Sequence, residues 1–293
     1  VNWSQRDISV CALSGNATCR GSSTSPEGKF TENAIGGDTF YVQNDSFAPG
    51  TTRYNFASKN HLLRPDKKHD FGILLTFENL NKHTFNIDYF SSSYKTIAQL
   101  DYSGIFGLSV DLPCNNPFLS NQQFTTICTD NGLGLTDTTP LYISRRNIEG
   151  NPRQRSFKNS TDRFMFNVEG ELSNEWTFIL DYQNSKTKID FSYLNDISKS
   201  RAAQALNVTG TALNPSCTAG NNCKPWNIFT VTDGNIKESA SLGVTQEALD
   251  YISTTLNVDA ELSEDQFRFV SSKSFILGNK NLESLDLSLG IEY

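Results

Sequence analysis

"RFMFNVEGELSNEWTFILDYQ", residues 163–183, consists of two runs of alternating side chains joined by a short polar link. Phe164, Phe166 and Val168 share one face of the first run, with Arg163, Met165, Asn167 and Glu169 on the other. In the second run Trp176, Phe178, Leu180 and Tyr182 lie opposite Thr177, Ile179, Asp181 and Gln183. Strand side chains alternate between faces with a period of two, so this spacing predicts an antiparallel hairpin. What the apolar face meets stays open, because a protein core, a partner and a bilayer all accept the same alternation. In a sandwich the polar face is solvated; in a membrane barrel it lines a wet lumen and the apolar face is turned outward.

The same pattern occurs twice more. Phe71, Ile73, Leu75 and Phe77 alternate with Asp70, Gly72, Leu74 and Thr76 before a turn near Asn79, and Phe85, Ile87 and Tyr89 continue the pattern after it, alternating with Asn86 and Asp88. Near the end, Leu285, Leu287, Leu289, Ile291 and Tyr293 alternate with Asp286, Ser288, Gly290 and Glu292. Hairpins are therefore expected over about residues 69–90, 163–190 and 267–293. Between them lie long segments, about 1–64, 94–162 and 193–265, rich in Gly, Asn, Ser and Thr. Within the last of these, "DISKSRAAQALNV" and "VTQEALDYISTTL" predict short helices capped by Ser198 or Ser200 and by Thr245.

Composition points the same way. Only 19% of the 293 residues are charged and 37% are hydrophobic, and the remainder favours turns and sheet over helical bundles. A net charge of −7 with no Lys/Arg cluster argues against nucleic acid as a partner. The longest apolar stretch, "FGILLTF", falls well short of the roughly 18 residues a spanning helix needs. Nothing at Val1 resembles an export signal, so any such signal has been removed or lies outside this chain.

The six cysteines fall into three local pairs: Cys11 with Cys19, Cys114 with Cys128, and Cys217 with Cys223. None is Cys-x-x-Cys, and the three histidines are grouped elsewhere, so no metal site is expected. Small closed loops in polar segments read as disulfides formed in an oxidising compartment. Gly-x-Ser-x-Gly, His-Glu-x-x-His and phosphate-cradling glycine loops are all missing, so neither an enzyme nor a cofactor is expected.

Two features favour lipid over a core: loops segregated by length, with short turns at one end of the strands and long excursions at the other, and aromatics near strand ends. Longer motifs then carry a resemblance. "RRNIEGNPRQRSFKNSTDRFMFNVEGELSNEWTFILDYQNSKTKIDFSYLNDISKSRAAQALNV" (residues 145–208), "CKPWNIFT", "GVTQEALDYIS", "RYNFASKNHLLRPDKKHDFGILLTFENLN" and "CNNPFLSNQQ" together resemble the barrel of TonB-dependent outer-membrane receptors, especially a proteobacterial group. The resemblance implies an all-β fold: an antiparallel transmembrane β-barrel segment with short periplasmic turns and long, disulfide-tied extracellular loops. It implies a receptor that captures a scarce nutrient, such as a small molecule, a metal chelate, a glycan or a peptide, and imports it with energy from the TonB complex. The implied location is the bacterial outer membrane, with loops extracellular.

Only about six to eight strands can be counted, and neither a plug domain nor a TonB box is recognisable. The segment reads as a partial receptor barrel, whose partners are outer-membrane lipid, the remainder of the receptor (plug and other strands) and, through the plug, TonB. Arg145, Arg146 and Arg153 are candidates to meet an anionic ligand, the alternative being ion pairs with Glu149 and nearby acids. Trp226 and Phe229 are candidates to stack on a ligand, the alternative being loop packing. Arg163, Asn167, Glu169, Asp181 and Gln183 are the expected lumen-facing residues. The competing function is a soluble secreted β-sandwich binding module or adhesin.

Overall fold

The computed structural model describes residues 21–32, 37–56, 58–79, 82–172, 175–220, 222–277 and 283–293. Among these, thirteen strands run in chain order: β1 Lys29–Glu32, β2 Thr39–Gln43, β3 Ser46–Pro49, β4 Asp66–Glu78, β5 Thr84–Tyr102, β6 Gly104–Pro113, β7 Thr138–Arg146, β8 Pro152–Glu171, β9 Thr177–Ile197, β10 Val208–Thr211, β11 Asn214–Cys217, β12 Ser253–Leu277 and β13 Glu283–Glu292. Three α-helices accompany them: α1 Asn121–Ile127, α2 Lys199–Leu206 and α3 Gln246–Ile252. The chain divides into two compact units, one of Val1–Leu63, Ala98–Arg155 and Tyr193–Leu256, the other of Arg64–Ile97, Ser156–Ser192 and Asn257–Tyr293.

Unit one contains a conventional core. Its five-stranded sheet has the order β3-β2-β1-β7-β6. Phe30 sits opposite Phe40 on β2 and Ile143 on β7, which carries its fully buried ring into the core. There it meets Phe47 and Phe229 at ring-centroid distances of 4.9 and 5.7 Å. Ile105, Leu112, Leu141, Ile127, Leu206 and Ile252 close the same cluster. Each helix begins on a side-chain cap: Ser120 with Gln123 in a reciprocal capping box, Ser198 accepting from Arg201 N–H, and Thr245 accepting from Ala248 N–H. These caps satisfy amides that the first helical turn leaves unpaired. The Cys114–Cys128 disulfide closes the loop that holds α1, and Cys217–Cys223 pins the end of β11. The Cys11–Cys19 pair lies outside the described residues.

Unit two is built on one antiparallel sheet of order β13-β12-β9-β8-β5-β4. Its three hairpins have connections of equal length, residues 79–83, 172–176 and 278–282. The strands run well beyond the residues expected for them: β5 extends to Tyr102, β8 begins at Pro152, β9 reaches Ile197 and β12 begins at Ser253. Beyond the hairpin stretch the apolar positions pass to the other face, with Ile189 and Phe191 on β9 and Leu256, Val258 and Leu262 on β12, so the run that marks each hairpin breaks although the ladder continues. The segments read as loops also contain β1–β3, β6, β7, β10 and β11, mostly strands of four or five residues whose pattern is too short to separate from their Gly- and Asn-rich surroundings.

Candidate functional site

Hydrogen bonds fix how the strands of unit two are aligned, and with them what each face presents. On one face Thr76 Oγ1 donates to Asn86 Oδ1 (2.8 Å), Asn86 Nδ2 to Asn167 Oδ1 (3.0 Å), and Asn167 Nδ2 to Asp181 Oδ1 (2.7 Å). Arg268 Nε then donates to Asp181 Oδ2 (2.7 Å), and Arg268 pairs with Glu292 across β12 and β13. One polar row therefore crosses all six strands. Asn167 and Asp181 belong to it, and Arg163 on the same face approaches Asp88 at 3.7 Å. Glu169 and Gln183 are two residues along from Asn167 and Asp181, so alternation puts them on this face as well.

The opposite face is apolar in the rows on either side. One step along each strand in one direction gives Phe77, Phe85, Val168, Leu180, Phe269 and Ile291; one step in the other gives Leu75, Ile87, Phe166, Tyr182, Phe267 and Tyr293. Much of this surface is bare: Phe77 is 64% exposed, Leu75 57% and Ile291 64%. Among the described residues, the outer strands β4 and β13 leave their large apolar side chains exposed, each by 40% or more. Isolated exposed apolar residues are ordinary, but a contiguous surface of this kind marks contact with a membrane or another protein.

The apolar band has a sharp limit. Going away from the hairpin turns, Phe71 is followed on that face by His69, Tyr89 by Ser91, Phe164 by Asp162, Tyr182 by Asn184 and Phe267 by Asp265. Tyrosines mark the change on two strands: Tyr89 Oη donates to Asp162 and Tyr182 Oη to Asp265, both at 3.2 Å. Beyond it come charged groups, including Lys186 and Lys188 around Glu261 and Lys158 near Asp190. Measured from the polar row, the limit recedes across the sheet, from Thr76 to Phe71 on β4 but only from Arg268 to Phe267 on β12. That is four residues over four inter-strand steps, about 13 Å along the strands for about 19 Å across them. The band thus cuts the strands obliquely, about 35° from the hydrogen-bonding direction.

Unit one gathers the arginines. Arg145 is buried and meets Glu149 through two bonds, Nη1 to Oε2 at 3.1 Å and Nη2 to Oε1 at 2.5 Å, while Thr232 also donates to Glu149 Oε1. Burial pushes the Glu149 carboxyl up, but the Arg145 charge and the hydrogen bonds from Arg145 and Thr232 outweigh it and hold the group below the ordinary carboxylate range. Arg146 donates to Tyr102 O at 2.9 Å and lies over the Tyr54 and Phe106 rings. Arg153 donates to Asp101 O and to Tyr193 Oη. Trp226 and Phe229 are fully buried, with the Arg145 guanidinium 5.8 Å from the Trp226 ring centre and Gln123 Nε2 donating to Phe229 O at 2.8 Å. The geometry gives these five residues internal partners and an organising role in unit one.

Sequence reading did not single out the polar cavity of about 220 Å³ beside that cluster, lined by Ser103, Asn147, Glu149, Asn195, Gln246 and Asp250 among others. Its residues come from five separated segments, and only a folded chain brings them together. No group of three or more metal-ligating side chains occurs among the described residues. No helix there is long and apolar enough to cross a membrane, which says nothing of strands. Comparison with protein families, with curated proteins and with solved structures finds no match to this chain.

Proposed function

We propose that this chain is a section of the wall of an outer-membrane β-barrel receptor of the TonB-dependent type, which captures a nutrient and imports it. The observation that carries this reading is the oblique apolar band. A sandwich sheet covers its apolar face with a second sheet, whereas here that face has a continuous uncovered band with tyrosines and charges at one limit. A barrel in a bilayer needs an outward band of this type, edged by interfacial aromatics, with strands inclined by about 35–45°. The obliquity of about 35° agrees with that incline. The polar row from Thr76 to Glu292 is then lumen wall, and the "GELSNEW" link a periplasmic turn. Unit one, with its disulfides and polar cavity, is the extracellular ligand-capturing part.

The reading is tested in the outer membrane. Single cysteines replacing Asn167, Asp181 or Gln183 should react with a membrane-impermeant maleimide, while cysteines replacing Phe166 or Leu180 should not. The chain should resist alkaline carbonate and need detergent for extraction. Release by carbonate or salt alone would sink the proposal in favour of a soluble binding module.

A further inference from the structure

Three lysines stand side by side beyond the limit of the apolar band, four residues past Phe71 on β4 and six past Tyr89 on β5 and Phe164 on β8, about 13–20 Å along the strands. Nine residues from Thr76, Asn86 and Asn167, in the direction away from the turns, lie Lys67 on β4, Lys95 on β5 and Lys158 on β8. An odd offset from the polar row puts all three on the apolar face of the sheet. Lys67 and Lys95 are direct cross-strand partners. Like charges directly opposite one another destabilise a strand pair, so this arrangement calls for an anion. The sheet supplies little. Between the band and the lysines, β4 and β5 carry only His69, Ser91 and Ser93 on that face, and Asp162 of β8 already accepts from Tyr89. Lys158 has Asp190 at 3.7 Å, a loose pair with both side chains more than half exposed. Lys186 and Lys188, by contrast, share Glu261. The cluster runs against a chain whose net charge is −7.

We infer that Lys67, Lys95 and Lys158 form a docking site for the phosphates of a phosphorylated lipid in the outer leaflet, its acyl chains extending along the same face to Phe71, Ile73 and Tyr89. Charge complementarity selects an anion, and the apolar band on the same face, reached across His69, Ser91 and Ser93, selects one that carries an apolar tail. This inference rests on the membrane reading above. Ammonium groups at a membrane surface attract anionic headgroups additively, and the attraction fades with salt.

The test uses the full chain reconstituted into vesicles of phosphatidylcholine alone or with a minor fraction of a bisphosphorylated glycolipid. The variant K67Q/K95Q/K158Q is compared with wild type and with K186Q/K188Q. Carbonate-resistant insertion into pure phosphatidylcholine reports on the membrane reading, and the glycolipid retained after detergent extraction reports on the lysines. Wild type and K186Q/K188Q should retain at least about tenfold more glycolipid than the triple variant, with insertion equal in all three. Equal retention by the triple variant overturns the site while leaving the membrane reading intact. Displacement of the glycolipid by millimolar inorganic phosphate overturns it too, in favour of a phosphate-ion site. Failure of the wild type to insert removes both.

Discussion

Arg145 and Glu149 are four residues apart and each is almost wholly removed from water. A buried ion pair is not a large net source of stability, but removing one partner leaves the other as an uncompensated charge at a cost of about 3–5 kcal/mol. Glu149→Gln should therefore destabilise unit one by about 3 kcal/mol at neutral pH, seen as faster amide exchange in β7. Because the folded carboxyl lies below its ordinary range, its stabilising contribution is complete above the unfolded value, about 4.3, and is lost as pH falls through the lower folded value. The gap between wild type and E149Q should accordingly narrow in acid; a gap that widens below pH 4 contradicts the assignment. Gly104 offers a purely steric counterpart. A Cβ there would come within 2.1 Å of Arg145 O, so Gly104→Ala must push β6 from β7 and should destabilise by at least about 2 kcal/mol in thermal unfolding.

At the scale of elements, the loop around α1 is the clearest case of a constraint acting on a short segment. Cys114–Cys128 spans 14 residues, and closing a loop of about that length is worth about 3 kcal/mol by the chain-entropy account. The double variant C114S/C128S should lose about that much and expose α1 to limited proteolysis, while the hairpin of β8 and β9 keeps its protection. Equal cleavage in wild type and variant would show that the core contacts of Ile127 and the capping box suffice. α1 was legible in principle, since Ser120 and Gln123 have capping-box spacing, yet the helix is too short for periodicity to announce it. α2 and α3 are legible because alanines and leucines at helical spacing follow Ser198 or Ser200 and Thr245, and the structure selects Ser198 as the first cap. The three hairpins were legible for a related reason: a two-residue period survives wherever one face is apolar. Where Lys158, Asp190 and Glu261 take over the formerly apolar face and Ile189, Phe191, Leu256, Val258 and Leu262 appear on the other, the run that marks each hairpin breaks, and the outer halves of β8, β9 and β12 drop out of the reading with it. The buried pairing of Arg145 with Glu149 was foreshadowed by their spacing, whereas the cavity that joins Ser103 to Asn195 and Asp250 depends on tertiary assembly that no local pattern encodes.

For the whole molecule, the decisive feature of the six-stranded sheet is that it has two edges, β4 and β13. An open edge presents a row of unpaired N–H and C=O groups, tolerable in water but worth several kcal/mol apiece in hydrocarbon. Leu285, Leu287, Leu289 and Ile291 on β13, and Phe71, Ile73, Leu75 and Phe77 on β4, belong to the apolar surface, so the membrane reading puts both edges at bilayer depth. It follows that in the membrane each must pair with a further strand. Hydrogen exchange followed by mass spectrometry on the membrane-embedded chain should therefore find the amides of β4 and β13 on both their edges as slow as those of the interior strands β8 and β9. In a water-soluble module the outer-edge amides of β4 and β13 would exchange many times faster than the inner ones. Fast exchange along either edge in the membrane-bound state would mean that no strand joins there, and a wall of this kind could not lie in lipid. A single cysteine at Asp286 or Thr76 on the polar face, cross-linking in situ to a strand outside β4–β13, would identify which segment completes each edge.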